Sequence, residues 1–120
     1  MSSKACNDVK RIMTHDEAIE MVRLQAEVAL RVKNQAAELS AILVAPEQIY
    51  VMARTVRDGE VEEDVIRVWL VARENSGGGY SIVMRSDGAA FGLASPGFPS
   101  DKHLVLCGWY RDLVSAFASM

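Results

Sequence analysis

The sequence predicts an α+β fold: a long N-terminal helix packed on a four- to five-stranded antiparallel meander sheet, with a shorter C-terminal helix. Three observations carry this expectation. A capping box opens an amphipathic stretch at Thr14. Between Ile49 and Ala94, runs rich in Val and Ile alternate with Asp-Gly and Gly-rich turns. Helical spacing of apolar residues returns at Trp109.

In Thr14-His15-Asp16-Glu17 the Thr14 hydroxyl can accept from the Glu17 amide while the Glu17 carboxylate returns to the Thr14 amide. Asp16, Glu20, Arg23, Glu27, Arg31, Asn34 and Glu38 then recur at steps of three and four. That spacing predicts one helix from about His15 to about Leu39, with Arg23–Glu27 and Glu27–Arg31 as i,i+4 ion pairs. Its apolar residues cover about twice the roughly 100° arc that a surface helix needs. At 1.5 Å per residue it would be about 38 Å long, the full width of a globule this size. A rod with so much apolar circumference calls for two neighbours, and a second subunit is the expected source of one.

Pro46 stops any continuing helix. Strands are expected at Ile49–Val56, Val65–Arg73, Tyr80–Arg85 and Ala89–Ala94, joined at Asp58-Gly59, Ser76-Gly77-Gly78-Gly79 and Asp87-Gly88. The acidic run Asp58, Glu60, Glu62, Glu63, Asp64 lacks the spacing of a calcium loop and reads as a solvated hairpin tip. Ser95-Pro96-Gly97-Phe98-Pro99 breaks the pattern. His103–Cys107 fits either a fifth strand or the start of a helix, and Trp109–Ala118 fits a closing helix.

With 120 residues the chain has room for one domain, 1–120, of which 1–13 is expected to fray. A net charge of -3 disfavours nucleic acid, which demands a basic excess. No apolar run approaches the roughly 18 residues of a membrane span, and the N-terminus has no secretory pattern. Two cysteines, Cys6 and Cys107, make neither a disulfide framework nor a zinc site. A cytoplasmic protein without cofactor or metal is the expectation.

Strict alternation along Val65–Arg73 sets Ile66, Val68, Leu70 and Ala72 on one face and Val65, Arg67, Trp69, Val71 and Arg73 on the other. Ile82 and Met84 are expected to join the first face, Val83 and Arg85 the second. Arg67, Trp69, Arg73 and Arg85 would then form an aromatic centre with an arginine rim, suited to a protein partner. Two other readings stay open. The same arginines, walled by Trp69 and Tyr80, could hold a small anion in a cleft between sheet and helix, as a binding protein or an enzyme. Or Trp69 packs beneath a helix while the arginines reach water. No catalytic constellation is evident: His103 and Cys107 lack a third orienting group.

The segments Ala45-Pro46-Glu47-Gln48, Val68-Trp69-Leu70-Val71 and Ile82-Val83-Met84-Arg85-Ser86-Asp87-Gly88 resemble, in order and patterning, small bacterial domains of the toxin-immunity type. The likeness runs from Ala45 to about Phe117, departing at Asp58–Asp64 and Phe98–Gly108. It implies a non-enzymatic protein that binds a cognate protein. The short, motif-free chain also resembles orphan proteins of bacterial mobile gene cassettes. The combined expectation is a protein-binding module acting as a homodimer.

Overall fold

The computed structural model describes residues 12–31, 36–74, 79–96 and 103–120. Helix α1, His15–Leu30, is followed by α2, Ala36–Ile42, and strand β1, Leu43–Arg57. Strands β2, Glu60–Arg73, β3, Ser81–Arg85, β4, Phe91–Ser95, and β5, Leu104–Tyr110, come next, and α3, Leu113–Ala118, ends the chain.

The helix start is as expected: Thr14 Oγ1 accepts from Glu17 N at 3.1 Å, and Thr14 N donates to Glu17 Oε1 at 2.9 Å. The single helix to Leu39 is corrected to two. α1 stops at Leu30, where the Arg31 amide turns back to the Val28 carbonyl three residues earlier. Sixteen residues give a rod of about 24 Å rather than 38 Å. Arg23 bridges Glu20 and Glu27, so the repeating polar stripe is real over the part that is helical. Of the expected frayed segment, residues 1–11 lie outside the described residues, while Met13 is tied down by its amide to the Ser86 carbonyl at 2.8 Å.

The meander is also corrected. All five strands join into a closed barrel in sequence order, and the closing pair, β1 with β5, is parallel. The reason is parity, since an up-and-down circuit of five strands brings its first and last together pointing the same way. His103–Cys107 falls at the start of β5, which resolves that segment as strand and shortens the closing helix to α3. The acidic residues from Glu60 to Asp64 lie within β2, and only Asp58-Gly59 turns, with φ of 54° and 82°.

Two apolar clusters fill the molecule. Val51, Val68, Leu70, Val83 and Ala94 pack inside the barrel. Trp69, Val71, Ala72, Ile82, Met84, Phe91 and Leu93 face outward and are covered by Ala18, Val22 and Ala29 of α1, Leu39 of α2, and Leu113 and Ala116 of α3. The expected pairing of faces is therefore reversed: Ile82 and Met84 accompany Trp69, and Val83 accompanies Val68 and Leu70. The cause is register, with Trp69 opposite Met84 and Leu70 opposite Val83, followed by a bulge before Ala72, which pairs Ile82. α3 is anchored by Asp112 Oδ1 accepting from Ser115 N at 2.8 Å and Gln25 Oε1 accepting from Leu113 N at 3.1 Å. Among the described residues, no helix is long and apolar enough to cross a membrane.

Candidate functional site

The four residues singled out from the sequence do not share a surface. Trp69 is 3 % exposed, sealed beneath the first turn of α1, with its ring 5.8 Å from that of His15. His15 is held there by Nε2 donating to the Pro46 carbonyl at 3.0 Å. Burial of Trp69 in the helix-covered cluster matches the packing alternative. Arg67 is exposed opposite Tyr50, and Arg85 pairs with Asp87 at 2.8 Å. Arg73 lies opposite Ser81, at the other end of β3 from Arg85. A rise of about 3.3 Å per residue puts the two ends of β3 roughly 13 Å apart.

A different surface comes from the β1–β2 hairpin. β2 pairs with β3 only from Val68 onward, and β1 pairs with β5 only at Val51 and Met52 among the described residues. Among the described residues, the part from Ala53 through the turn to Asp64 is a two-stranded arm whose strands pair only with each other. The molecule measures 42 × 41 × 22 Å, with a radius of gyration of 15.1 Å. A compact chain of this length has about 13.6 Å.

The arm's two faces differ. One carries the pairs Tyr50–Arg67, Met52–Val65, Arg54–Glu63 and Val56–Val61. Val56 is 74 % exposed, Val61 62 %, Val65 54 % and Tyr50 52 %, so its apolar members stand in water. Arg54 Nε donates to Glu63 Oε2 at 2.7 Å, neutralising the one fully ionic row. The opposite face carries Ala53–Asp64, Thr55–Glu62 and Arg57–Glu60. Three acids against one arginine leave that face negative.

Sequence reasoning missed this arm because it ended the first strand at Val56 and began the second at Val65. The signal was present. A two-residue Asp58-Gly59 turn forces Arg57 opposite Glu60 and Val56 opposite Val61, and the register then runs back without a break to Glu47–Leu70.

Among the described residues, no group of three or more His, Cys, Asp or Glu side chains is placed to hold a metal. Cys107 is exposed, and its thiol lies 3.7 Å from the Val105 carbonyl. No protein-family model matches the sequence, and neither the curated proteins nor the solved structures contain a significantly similar chain.

Proposed function

We propose that this chain is a non-enzymatic, cytoplasmic protein-binding module that acts as a homodimer, the arm of each copy lying against the body of the other. The observation that carries this reading is the row of exposed valines on a projecting ribbon. Large apolar side chains gathered on one exposed face mark interaction surfaces, whereas scattered ones do not. The face suits an apolar strip on a second copy, because its Arg54–Glu63 row is internally neutral and Arg67, at the base of the arm, is its one remaining charge among the described residues.

Area argues for arm on body rather than arm on arm. The five rows of ribbon beyond the β5 seam, Ala53–Asp64 to Arg57–Glu60, project about 17 by 10 Å, roughly 170 Å², well short of the ~800 Å² per partner of a stable interface. The chain has a second exposed apolar strip, Leu24 and Val28 on the outer flank of α1. Reciprocal pairing of arm and α1 flank about a twofold axis employs both strips and closes on itself. The toxin-immunity resemblance points the same way, toward a protein that works by binding another protein.

Light scattering after size exclusion tests the reading. Wild-type protein at about 100 µM is expected to elute as a dimer, a modest affinity by the usual scale. The double variant Val56→Lys/Val61→Lys is expected to be monomeric with unchanged circular dichroism, because both sites are exposed. A wild-type monomer at that concentration, or a variant that stays dimeric, overturns it.

A further inference from the structure

The far end of the barrel from Arg85, where β2 and β4 finish and β3 and β5 begin, opens into a cavity of about 520 Å³. That is within the range of small-molecule sites, roughly 300–1,000 Å³. Its apolar lining is Ile49, Leu70 and Leu104, which pack with the barrel's interior cluster. Polar groups are few and converge on the opening: Arg73, Ser81, Tyr50 and His103.

Arg73 reaches this mouth because of the β2 bulge. By strict alternation from Trp69 it would lie on the helix-covered face. The extra residue between Leu70 and Ala72 moves Ala72 to that face and turns Arg73 to the side of Ser81, its cross-strand partner. Bulges commonly re-aim a side chain in this way beside functional sites. Among the described residues Arg73 forms no ion pair, unlike Arg23, Arg54, Arg57, Arg85 and Arg111. Ser81 is 5 % exposed, the one buried polar residue among those described, and it lines the cavity. Tyr50 and His103 form the facing wall, their rings 6.3 Å apart.

Glu74 also lines the mouth, but its carboxylate is engaged: Oε1 accepts from Tyr80 N at 3.2 Å, while Glu74 N donates to the Tyr80 carbonyl at 3.1 Å. Its charge still stands beside the opening. One unpaired guanidinium next to one carboxylate favours a single negative charge and opposes a dianion.

We infer that the barrel mouth binds a small monocarboxylate with an apolar body, its carboxylate on Arg73 and Ser81 and its hydrocarbon part against Ile49, Leu70 and Leu104. A planar carboxylate matches the guanidinium fork, and the apolar floor rewards an aromatic or branched aliphatic body. This site needs only one copy of the chain, and Tyr50 is the residue it shares with the arm face.

The test is a nuclear magnetic resonance titration of the full chain with benzoate, 4-methylpentanoate and, separately, inorganic phosphate. Both carboxylates are expected to bind with dissociation constants on the order of 1 mM, as befits ligands of this size. Shifts should gather at Leu70, Arg73, Ser81 and Leu104. Arg73→Met is expected to weaken binding about tenfold or more, while Arg31→Met, an exposed arginine at the C-cap of α1, leaves it unchanged. Absence of localised shifts at about 20 mM, equal binding of phosphate, or equal losses in the two variants would overturn the assignment.

Discussion

Replacing Trp69 by Ala and by Phe separates two properties of one buried side chain. The indole is 3 % exposed, and its Nε1 has no hydrogen-bond partner among the described residues. Truncation to Ala removes the ring from beneath α1 and leaves a cavity, which costs about 3–5 kcal/mol for a buried aromatic. In a domain of this length each kcal/mol is worth roughly 4 °C in Tm, so a fall of about 12–20 °C is expected. Phe is different. It forfeits on the order of 40 Å² of buried area, about 1 kcal/mol, but also removes an unpaired buried N–H that costs about 1–3 kcal/mol. Those opposing effects leave Trp69→Phe within about 1 kcal/mol of wild type. Urea unfolding followed by far-ultraviolet circular dichroism reads both variants without relying on the lost fluorophore. A loss below about 0.5 kcal/mol for Trp69→Ala would mean that Trp69 is a surface residue after all. A Phe variant as damaged as the Ala variant would show that the indole N–H has a partner.

Other expected outcomes follow from local geometry. In a Trp109→Phe background the remaining Trp69 should emit at short wavelength and resist acrylamide, whereas in Trp69→Phe the 38 % exposed Trp109 should be quenched readily. Thr14→Ala, which breaks the capping box, should cost about 1 kcal/mol in urea unfolding. Gly92→Ala should cost about 1–3 kcal/mol, because a Cβ there would meet Leu106 Cδ1 at 2.8 Å and the Gly108 carbonyl oxygen at 3.1 Å. Asp112 caps α3, and its hydrogen bonds from Ser115, aided by the charge of Arg111, hold its carboxyl below the usual range. A depressed folded-state pKa stabilises the protein above the unfolded value near pH 4, and that contribution is lost as pH falls through the folded value. Asp112→Ala should therefore cost about 1 kcal/mol at pH 7 and distinctly less near pH 2, as measured by unfolding across that range.

Short-range chemistry was the legible part of this molecule. The Thr14–Glu17 box, the Asp58-Gly59 and Asp87-Gly88 turns and the Val/Ile-rich strands are decided by neighbours within a few residues, and they occur where the residues suggest. The helix end was not legible, because apolar and polar residues keep helical spacing through Glu38 although the helix stops at Leu30. Register was legible only where a turn dictates it. The first hairpin follows from Asp58-Gly59, but the β2–β3 alignment depends on a bulge that no residue type announces. That single inserted residue exchanges the partners of Trp69 and sends Arg73 away from Arg67. Of the four residues proposed from the sequence, one is core, one is paired within its own turn, and the remaining two lie on opposite sides of β2.

Closure of the barrel explains why its mouth is open where it is. An antiparallel meander could have remained a sheet, with β1 and β5 as its edges. Closing an odd number of strands leaves one parallel seam, and among the described residues the β1–β5 seam is short: Val51 with Leu104 and Met52 with Val105. Parallel pairing is slightly weaker per residue than antiparallel, and here it also lacks length. Immediately before the seam the two strands part, and the residues there, Ile49 and Tyr50 on β1, His103 just ahead of β5 and Leu104 at its start, form one wall of the cavity. The arm has the same origin. A β1 held by its neighbour over so few residues runs on past the barrel with β2 alone beside it, carrying Val56 and Val61 beyond the cover of any helix. Cavity and arm are thus two consequences of one topological constraint, the shortness of the only seam that cannot be antiparallel.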